Sequence, residues 1–309
     1  MAAVIVENIS KKYQVEKTKV TALNGISFEV AKGELFGIVG PDGAGKTSLF
    51  RILTTLLLAD AGAARVEGYD VVKDYKEIRK TVGYMPGKFS LYQDLSVEEN
   101  LDFFATIFNT SISENYDLIK DIYQQIEPFK KRRAGKLSGG MKQKLALCCA
   151  LIHKPSVLFL DEPTTGVDAV SRKEFWEMLQ RLKLQGISIL VSTPYMDEAS
   201  LCDRVALMEN GKILAIDKPS IINSKFSKPL WAVQSNNMFA LLKSLKNWEA
   251  VSSCYSFGEF YHVVMKSEEK GSREIEEFLM KNQFQEIVIK QIDANIEDSF
   301  MALMHTSNE

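Results

Sequence analysis

Apolar and polar residues change period several times along the chain, and each change marks an element. The opening AVIVENI alternates with period two, and ISFEV (26–30) places Ile26, Phe28 and Val30 on one face. Both read as half-buried antiparallel strands, with Asn24-Gly25 as the turn signal between them. GELFGIVG (33–40) is a short apolar run bounded by glycines, and KTSLFRILTTLL behind it has helical spacing. Strand, glycine-rich turn and helix in that order form one unit of a parallel α/β sheet. SVLFL (156–160) and ISILVS (187–192) predict two further buried parallel strands. The helix between them is expected to start at a capping box of Ser171 and Glu174 and to bury Phe175, Met178, Leu179 and Leu182.

A helical insertion, about 95–152, separates the first of these strands from the second. Ser96 and Glu99 predict a capping box there, with Leu101, Phe104 and Phe108 on one face. In RVALMENGKILA, Asn210-Gly211 between apolar arms predicts a hairpin. The composition breaks at DKPSIINSKFSKP (217–229), which divides the chain into 1–219 and 220–309. The later part reads strand (LWAVQ), helix (237–246), strand (250–256), turn at Gly258, strand (FYHVVMK), helix (272–282) and strand (EIVIKQI). That order is the split βαβ arrangement of a ferredoxin-like α+β domain. An amphipathic NIEDSFMALM follows it.

The formal net charge of -2 supplies no global field for nucleic acid or an anionic membrane, so no nucleic-acid partner is expected. The basic run Lys130–Lys131–Arg132–Arg133 reads as a solvated helix end. Cys148, Cys149, Cys202 and Cys254 show no CxxC spacing and read as reduced thiols rather than metal ligands. No apolar run reaches the roughly 18 residues needed to span a bilayer. The start MAAVIVENISKKY alternates and carries charge, unlike a signal peptide. A membrane role is therefore expected only through a partner.

GPDGAGKT, from Gly40 to Thr47, fits G-x-x-x-x-G-K-[ST] and stands after a strand and before a helix. Gly40, Pro41, Asp42, Gly43, Ala44 and Gly45 can curl so that backbone N–H groups converge on a phosphate, at a helix N-terminus whose dipole favours an anion. Lys46 is expected to reach β- and γ-phosphates and the Thr47 hydroxyl to ligate Mg²⁺, with Ser48 next in the same turn. VLFLDEP (157–163) ends a buried strand in Asp161 and Glu162. Asp161 suits the magnesium shell, and Glu162 suits a base polarising water in line with the γ-phosphate. Alone, such a carboxylate pair is more often a cap or a surface turn. Beside a Gly-rich loop it reads as an ATP site.

KLSGGMKQK (136–144) adds a third element: Ser138 should cap a helix with the buried stripe Met141, Leu145, Cys148, Cys149 and Ile152. LSGGMKQ, with GPDGAGKT before it and DEPTTGVD after it, resembles the ATP-binding subunits of ABC transporters from about Val4 to Pro219. The later part resembles the C-terminal extension of the branch with drug-export and ABC-2-type systems. The resemblance implies a P-loop NTPase cassette of the α/β class: a parallel core sheet, an N-terminal antiparallel β-subdomain and a helical signature subdomain, with a small C-terminal α+β domain. It also implies a homodimer or heterodimer with each ATP between one Gly-rich loop and the partner's signature. Ser138, Gly139 and Gly140 would face that partner's γ-phosphate. Tyr13, in SKKY, matches the aromatic that stacks on adenine, and Asp168 matches the aspartate that communicates across the dimer. Integral membrane permease subunits would be driven from the cytoplasmic face.

Two positions depart from the family pattern. In VGYMPGKFSLYQDLS, Gly87 stands where a glutamine contacts Mg²⁺ or water; Gln93, six residues on, is no substitute. In STPYMDEA, Pro194 stands where a histidine contacts the γ-phosphate. Losing one preorganised donor to a transition-state oxyanion costs about 10²–10³ in rate. The expectation is a cassette that binds Mg-ATP well and hydrolyses it slowly at its own loop, while its signature completes a site on another cassette. A regulatory, non-hydrolysing subunit is one alternative. A soluble ATPase acting on DNA or ribosomes is another, but the DNA class carries a long coiled coil in the cassette and the ribosome class two cassettes per chain. This chain has one cassette and no sustained heptads.

Overall fold

The computed structural model describes residues 2–16, 18–267 and 271–306, with backbone alone for 305 and 306. The chain divides into two units, Met1–Pro219 and Ser220–Glu309.

The first unit runs β1 (Ala2–Val15), β2 (Thr18–Ala31), β3 (Leu35–Val39), α1 (Lys46–Leu53), β4 (Ala61–Val66), β5 (Tyr69–Asp70), α2 (Tyr75–Thr81) and β6 (Val82–Met85). It continues with α3 (Val97–Ile107), α4 (Tyr116–Tyr123), α5 (Gly139–Leu151), β7 (Val157–Asp161), α6 (Ala169–Leu184), β8 (Ser188–Thr193), α7 (Met196–Ala199), β9 (Arg204–Glu209) and β10 (Lys212–Asp217). One sheet has the order β10-β9-β3-β8-β7-β6. Its strands pair in parallel from β9 to β6, and β10 is antiparallel to β9. Every residue of β3, β7 and β8 is buried, as expected of strands covered on both faces. A second sheet, β2-β1-β4-β5, is antiparallel. Phe36, Phe50, Phe159 and Leu190 share the core with Val4, Val6 and Phe28 of that sheet, and Phe50 of α1 meets Phe159 edge-on at 5.8 Å.

The structure corrects several local expectations. Asn24-Gly25 does not turn the chain; it lies inside β2. Gly25 N–H donates to Ser10 Oγ at 3.0 Å, Asn24 N–H donates to the Gly211 carbonyl at 2.8 Å, and the β1–β2 register shifts beside it. With φ at 68°, Gly25 forms a bulge, the other use of a residue that tolerates the left-handed region. Helix α1 stops at Leu53 instead of running through TTLL. Thr54 turns its hydroxyl back to the Phe50 carbonyl at 2.8 Å, and Thr55 enters the left-handed region. Helix α6 begins two residues before Ser171: Asp168 is its N-cap and accepts from Ser171 N–H at 3.0 Å, so Ser171 and Glu174 form no capping box. The Ser96–Glu99 box is present at α3. Met141 is half-buried, whereas Leu145, Cys148, Cys149 and Ile152 are buried. The segment before the helical insertion also contains β6, a short edge strand of the parallel sheet on β7.

The second unit contains α8 (Pro219–Ser224), β11 (Leu230–Gln234), α9 (Met238–Asn247), β12 (Val251–Phe257), β13 (Phe260–Met265), α10 (Ser272–Lys281), β14 (Val288–Ile292) and α11 (Ile296–Thr306). Its sheet, β12-β13-β11-β14, is antiparallel throughout. This is the split βαβ order, with α9 and α10 packed through Leu241, Leu245, Ile275 and Leu279 on Val233 and Val263. The four cysteines are buried and unbonded. No helix among the described residues is long and apolar enough to cross a membrane.

Candidate functional site

Three neighbouring strands of the parallel sheet, β3, β8 and β7, end side by side and hand their next residues to one edge, where ligands of open α/β sheets bind. After β3 the chain forms the Gly40–Gly45 loop. Gly40 N–H donates to the Thr193 carbonyl at 3.2 Å, which ties the loop to the end of β8. A Cβ on Gly40 would overlap the Met208 carbonyl, and one on Gly45, at φ 104°, would overlap the Ala22 carbonyl. Only glycine lets the loop pass this close to its neighbours. Ala44 is buried, and its carbonyl accepts from Gly211 N–H at 3.1 Å; Pro41 and Asp42 are exposed on the outer side of the loop, as is Gly43 at φ 81°.

Lys46, only 3% exposed, turns back under this loop. Its ammonium donates to the carbonyls of Gly40 at 2.8 Å and Pro41 at 3.0 Å, and lies 3.2 Å from Glu162 Oε1. Thr47 Oγ1 donates to Asp161 Oδ1 at 3.2 Å. Two hard-oxygen groups, the hydroxyl of Thr47 and the carboxylate of Asp161, thus face each other across the start of α1. That donor set suits Mg²⁺, and a loop that excludes a Cβ at Gly40 and Gly45, with a buried ammonium beneath it, suits a polyphosphate.

Ser192, a fully buried polar residue of β8, organises the carboxylates. Its hydroxyl donates to Asp161 Oδ1 at 2.6 Å and accepts from Glu162 N–H at 3.0 Å. The same N–H also reaches the Ser192 carbonyl at 3.1 Å. These bonds hold Glu162 at φ 50°, a left-handed conformation that costs a non-glycine residue about 1–3 kcal/mol. Nothing in the sequence singled out Ser192; a serine at the end of an apolar run carries no signal until its neighbour strand is known. Burial, and then the charge of Asp161, push the Tyr84 phenol on β6 up to about 12.

Tyr13 of β1 is half-buried, its hydroxyl 3.1 Å from Ser48 Oγ in the first turn of α1. The ring therefore stands beside the loop and not on a remote surface.

Gly87 lies beside the Asp161 backbone: a Cβ there would sit 3.0 Å from the Asp161 carbonyl oxygen. A glutamine at this position must move that neighbour by a few tenths of an ångström. Gln93 stands apart from Gly87, its backbone carbonyl accepting from Gly135 N–H at 2.9 Å. Pro194 follows Thr193 at the end of β8, and Tyr195 N–H turns back onto Thr193 Oγ1 at 3.1 Å. Behind it the buried carboxylate of Glu198 accepts from the hydroxyls of Thr193 and Thr164, and Arg172 stacks on Tyr195 at 4.7 Å. This anchor cross-links the segments after β7 and β8.

Ser138, Gly139 and Gly140 form a separate cluster. Ser138 caps α5, accepting from Met141 N–H at 3.3 Å, and a Cβ on Gly140 would lie 2.7 Å from Ser171 Oγ. Asp168 is at the neighbouring helix start, where hydrogen bonds from the Ser171 backbone and side chain hold its carboxyl below the usual range. Among the described residues no hydrogen bond or ion pair joins Ser138–Gly140 to the Gly40–Ser48 loop. One chain brings together the loop, Asp161, Glu162 and Tyr13, and leaves the signature and Asp168 apart.

A groove of about 420 Å³, mostly apolar, opens between β6 and the helical insertion, lined by Tyr84, Met85, Leu91, Phe104, Phe108 and His153 among others. His153 stacks on Phe108 at 3.8 Å, and its Nε2–H donates to the Val82 carbonyl at 3.0 Å, leaving Nδ1 buried without a partner. Burial holds its pKa below 6.5.

With this geometry in view, comparison with known proteins is specific. The family model described as "ABC transporter" matches residues 23–165. The probable multidrug ABC transporter ATP-binding protein YbhF of Escherichia coli is 38% identical over 277 residues, 88% of this chain and 47% of that protein. The chain thus spans about half the length of that relative. The Nod factor export ATP-binding protein I of Paraburkholderia xenovorans is 38% identical over 224 residues, 72% of each chain. A solved ATP-binding subunit of an ABC transporter is similar at TM-score 0.65 and 26% identity, over 72% of this chain and 93% of that one. The chain belongs to the ATP-binding proteins of ABC transporters.

Proposed function

We propose that this chain binds and hydrolyses Mg-ATP as the motor subunit of an ABC exporter, in a dimer that sandwiches nucleotide between the Gly40–Thr47 loop of one cassette and the Ser138–Gly140 signature of the other. The observation that carries this reading is the convergence of Lys46, Thr47, Asp161 and Glu162 at the ends of adjacent strands. In it, Lys46 and the loop amides hold the terminal phosphates, Thr47 and Asp161 hold Mg²⁺, Tyr13 packs on the adenine, and Glu162 accepts a proton from water. The bound metal supplies charge neutralisation on the phosphates. The separation of Ser138 and Asp168 from the loop within one chain supports a dimer, because these groups meet nucleotide only across two chains.

Integral permease subunits are the proposed partners, holding the cassette on the cytoplasmic face of the membrane. The apolar groove beside β6 suits a partner helix, and its floor, β6, pairs with the strand that carries Asp161. Export rests on the names of relatives, one of which is a Nod factor export protein. Residues 1–219 form the cassette in this reading, and 220–309 an accessory domain.

Gly87 and Pro194 favour a second, weaker form of the same reading, in which this chain's own loop turns over slowly or serves regulation and its signature activates a different cassette. Purified chain should show Mg-dependent ATP hydrolysis whose rate per subunit rises with protein concentration, as a dimer requires. Addition of a second cassette from the same transporter should raise it further. A rate per subunit independent of concentration would contradict the sandwich.

A further inference from the structure

The sheet of the second unit has two faces, and α9 and α10 cover one of them. Strand alternation and register put Ser253 and Tyr255 of β12, His262 and Val264 of β13, and Leu230 of β11 on the other: Tyr255 pairs with His262, and Ser253 and Leu230 both pair with Val264. Asp298, Ala302 and Leu303 of α11 line the same cavity as these side chains. Its volume is about 440 Å³, within the roughly 300–1,000 Å³ of small-molecule sites.

A sheet face under a helix is ordinarily filled with apolar side chains. Here it carries a histidine–carboxylate pair: His262 Nδ1–H donates to Asp298 Oδ1 at 2.7 Å, with the side chains 11% and 3% exposed. Asp298 Oδ2 accepts from Asn295 N–H at 3.0 Å, and the His262 ring stacks on Phe257 at 3.9 Å. The ring is thus fixed at one nitrogen and on one face. It lines the cavity, and its Nε2 has no hydrogen-bond partner among the described residues, yet is not sealed from solvent as Nδ1 of His153 is. A fixed polar group with one open valence is what orients a ligand in a largely apolar site.

Two observations set the class of that ligand. The first is charge. On the described wall, the Asp298 carboxylate is committed to His262 and Asn295, Lys225 is engaged within the chain, and Lys228 is exposed, where water and salt screen it. No buried charge is left there to hold an ion. The second is Nε2 itself. With Nδ1 keeping its proton toward Asp298, Nε2 is a lone pair in the neutral ring and an N–H in the imidazolium. A hydroxyl pairs with both forms, donating to the first and accepting from the second. A carboxylate or an ether pairs with the second alone.

We propose that this cavity binds a neutral hydroxyl compound with an apolar body, of the phenol class. The ligand hydroxyl pairs with Nε2 of His262, whose ring Asp298 and Phe257 hold in place. The apolar body rests on Leu230, Val264 and Leu303. An analogue without the hydroxyl proton is rejected, because Nε2 then gives up its water without gaining a partner in the neutral ring.

The test is calorimetric titration of the full chain with para-ethylphenol, its methyl ether para-ethylanisole, and the anion para-ethylbenzoate. The phenol should saturate one site per chain and bind at least about tenfold tighter than either comparison compound. Ala302→Trp adds bulk to the cavity wall from an exposed position of α11. It should weaken the phenol at least about tenfold while leaving thermal unfolding unchanged. His262→Phe keeps an aromatic ring but removes both nitrogens, and should bring the affinity for the phenol down to that for the ether. Absence of saturable phenol binding up to about 10 mM overturns the proposal. So does equal binding of the ether or the anion, or undiminished binding to Ala302→Trp.

Discussion

The ammonium of Lys46 lies 3.2 Å from the carboxylate of Glu162, while donating to two carbonyls of its own loop. The cation thus holds the proposed base and the loop together at a position where phosphate charge is expected to enter. In the proposed reading, an incoming polyphosphate would replace Glu162 as the partner of Lys46 and free the carboxylate for water. Glu162→Gln removes the base and one negative charge from the phosphate pocket. We expect turnover to fall by about 10²–10⁴ with Mg-ATP affinity equal or tighter, read by phosphate release and equilibrium binding on the same preparation. Full turnover in the variant would remove Glu162 from the chemistry.

The two departures from the family pattern are open to separate tests because their surroundings differ. Pro194 is at a strand end, and the hydrogen bond recorded next to it comes from the following residue. A side chain at Gly87 crowds the Asp161 carbonyl. Pro194→His should therefore raise turnover by about tenfold, a partial return of the 10²–10³ such a donor supplies. Gly87→Gln should add less, and should add it only together with Pro194→His. Unchanged turnover in the double variant, with ATP affinity intact, would count against attenuation by missing sensors.

Ser192 is bound to both carboxylate residues through one hydroxyl. Ser192→Ala removes a bond to the buried Asp161 carboxylate and one of the two bonds of the Glu162 N–H, which keeps the carbonyl of residue 192, and should cost about 1–3 kcal/mol of stability, chiefly through the charged group. The Mg²⁺ concentration for half-maximal ATP binding should rise severalfold, because Asp161 loses the bond that fixes its orientation. An unaltered magnesium titration would mean that Thr47 alone orients Asp161.

The half-buried ring of His153, with its Nδ1 buried, supplies a pH signature. Its pKa is held below 6.5 in the folded protein by burial, so between that lowered value and 6.5 the unfolded chain binds more protons. This contribution to stability is complete above 6.5 and is lost progressively as pH falls through the window. Thermal unfolding followed from pH 7.5 to about 5 should show a decline that His153→Gln flattens. Equal slopes in the two proteins would contradict it.

How much of this the amino-acid order disclosed depends on the range of the forces involved. GPDGAGKT and VLFLDEP were legible because loop, helix start and strand end are local events, and the structure does bring them to one edge. The β-α-β-β-α-β order was legible because each segment keeps its own period. Asn24-Gly25 misled because a positive-φ glycine serves a bulge as well as a turn, and the choice is made by Ser10 and Gly211, distant in sequence. Ser171–Glu174 misled because a stronger cap, Asp168, stood three residues earlier. AGAARV lacks the strand-forming composition of its neighbours and forms β4 through pairing with β1. Ser192, the signature's packing against Ser171 and the His262–Asp298 pair are all contacts between elements, invisible to any local pattern.

The central assertion is that the loop from Gly40 to Thr47 grips the terminal phosphates of a nucleotide through Lys46. Its most direct test is the equilibrium affinity of Lys46→Ala for Mg-ATP, measured on a variant shown by its unfolding transition to be folded. A loss of at least about tenfold is predicted; affinity equal to that of the unaltered chain would contradict it.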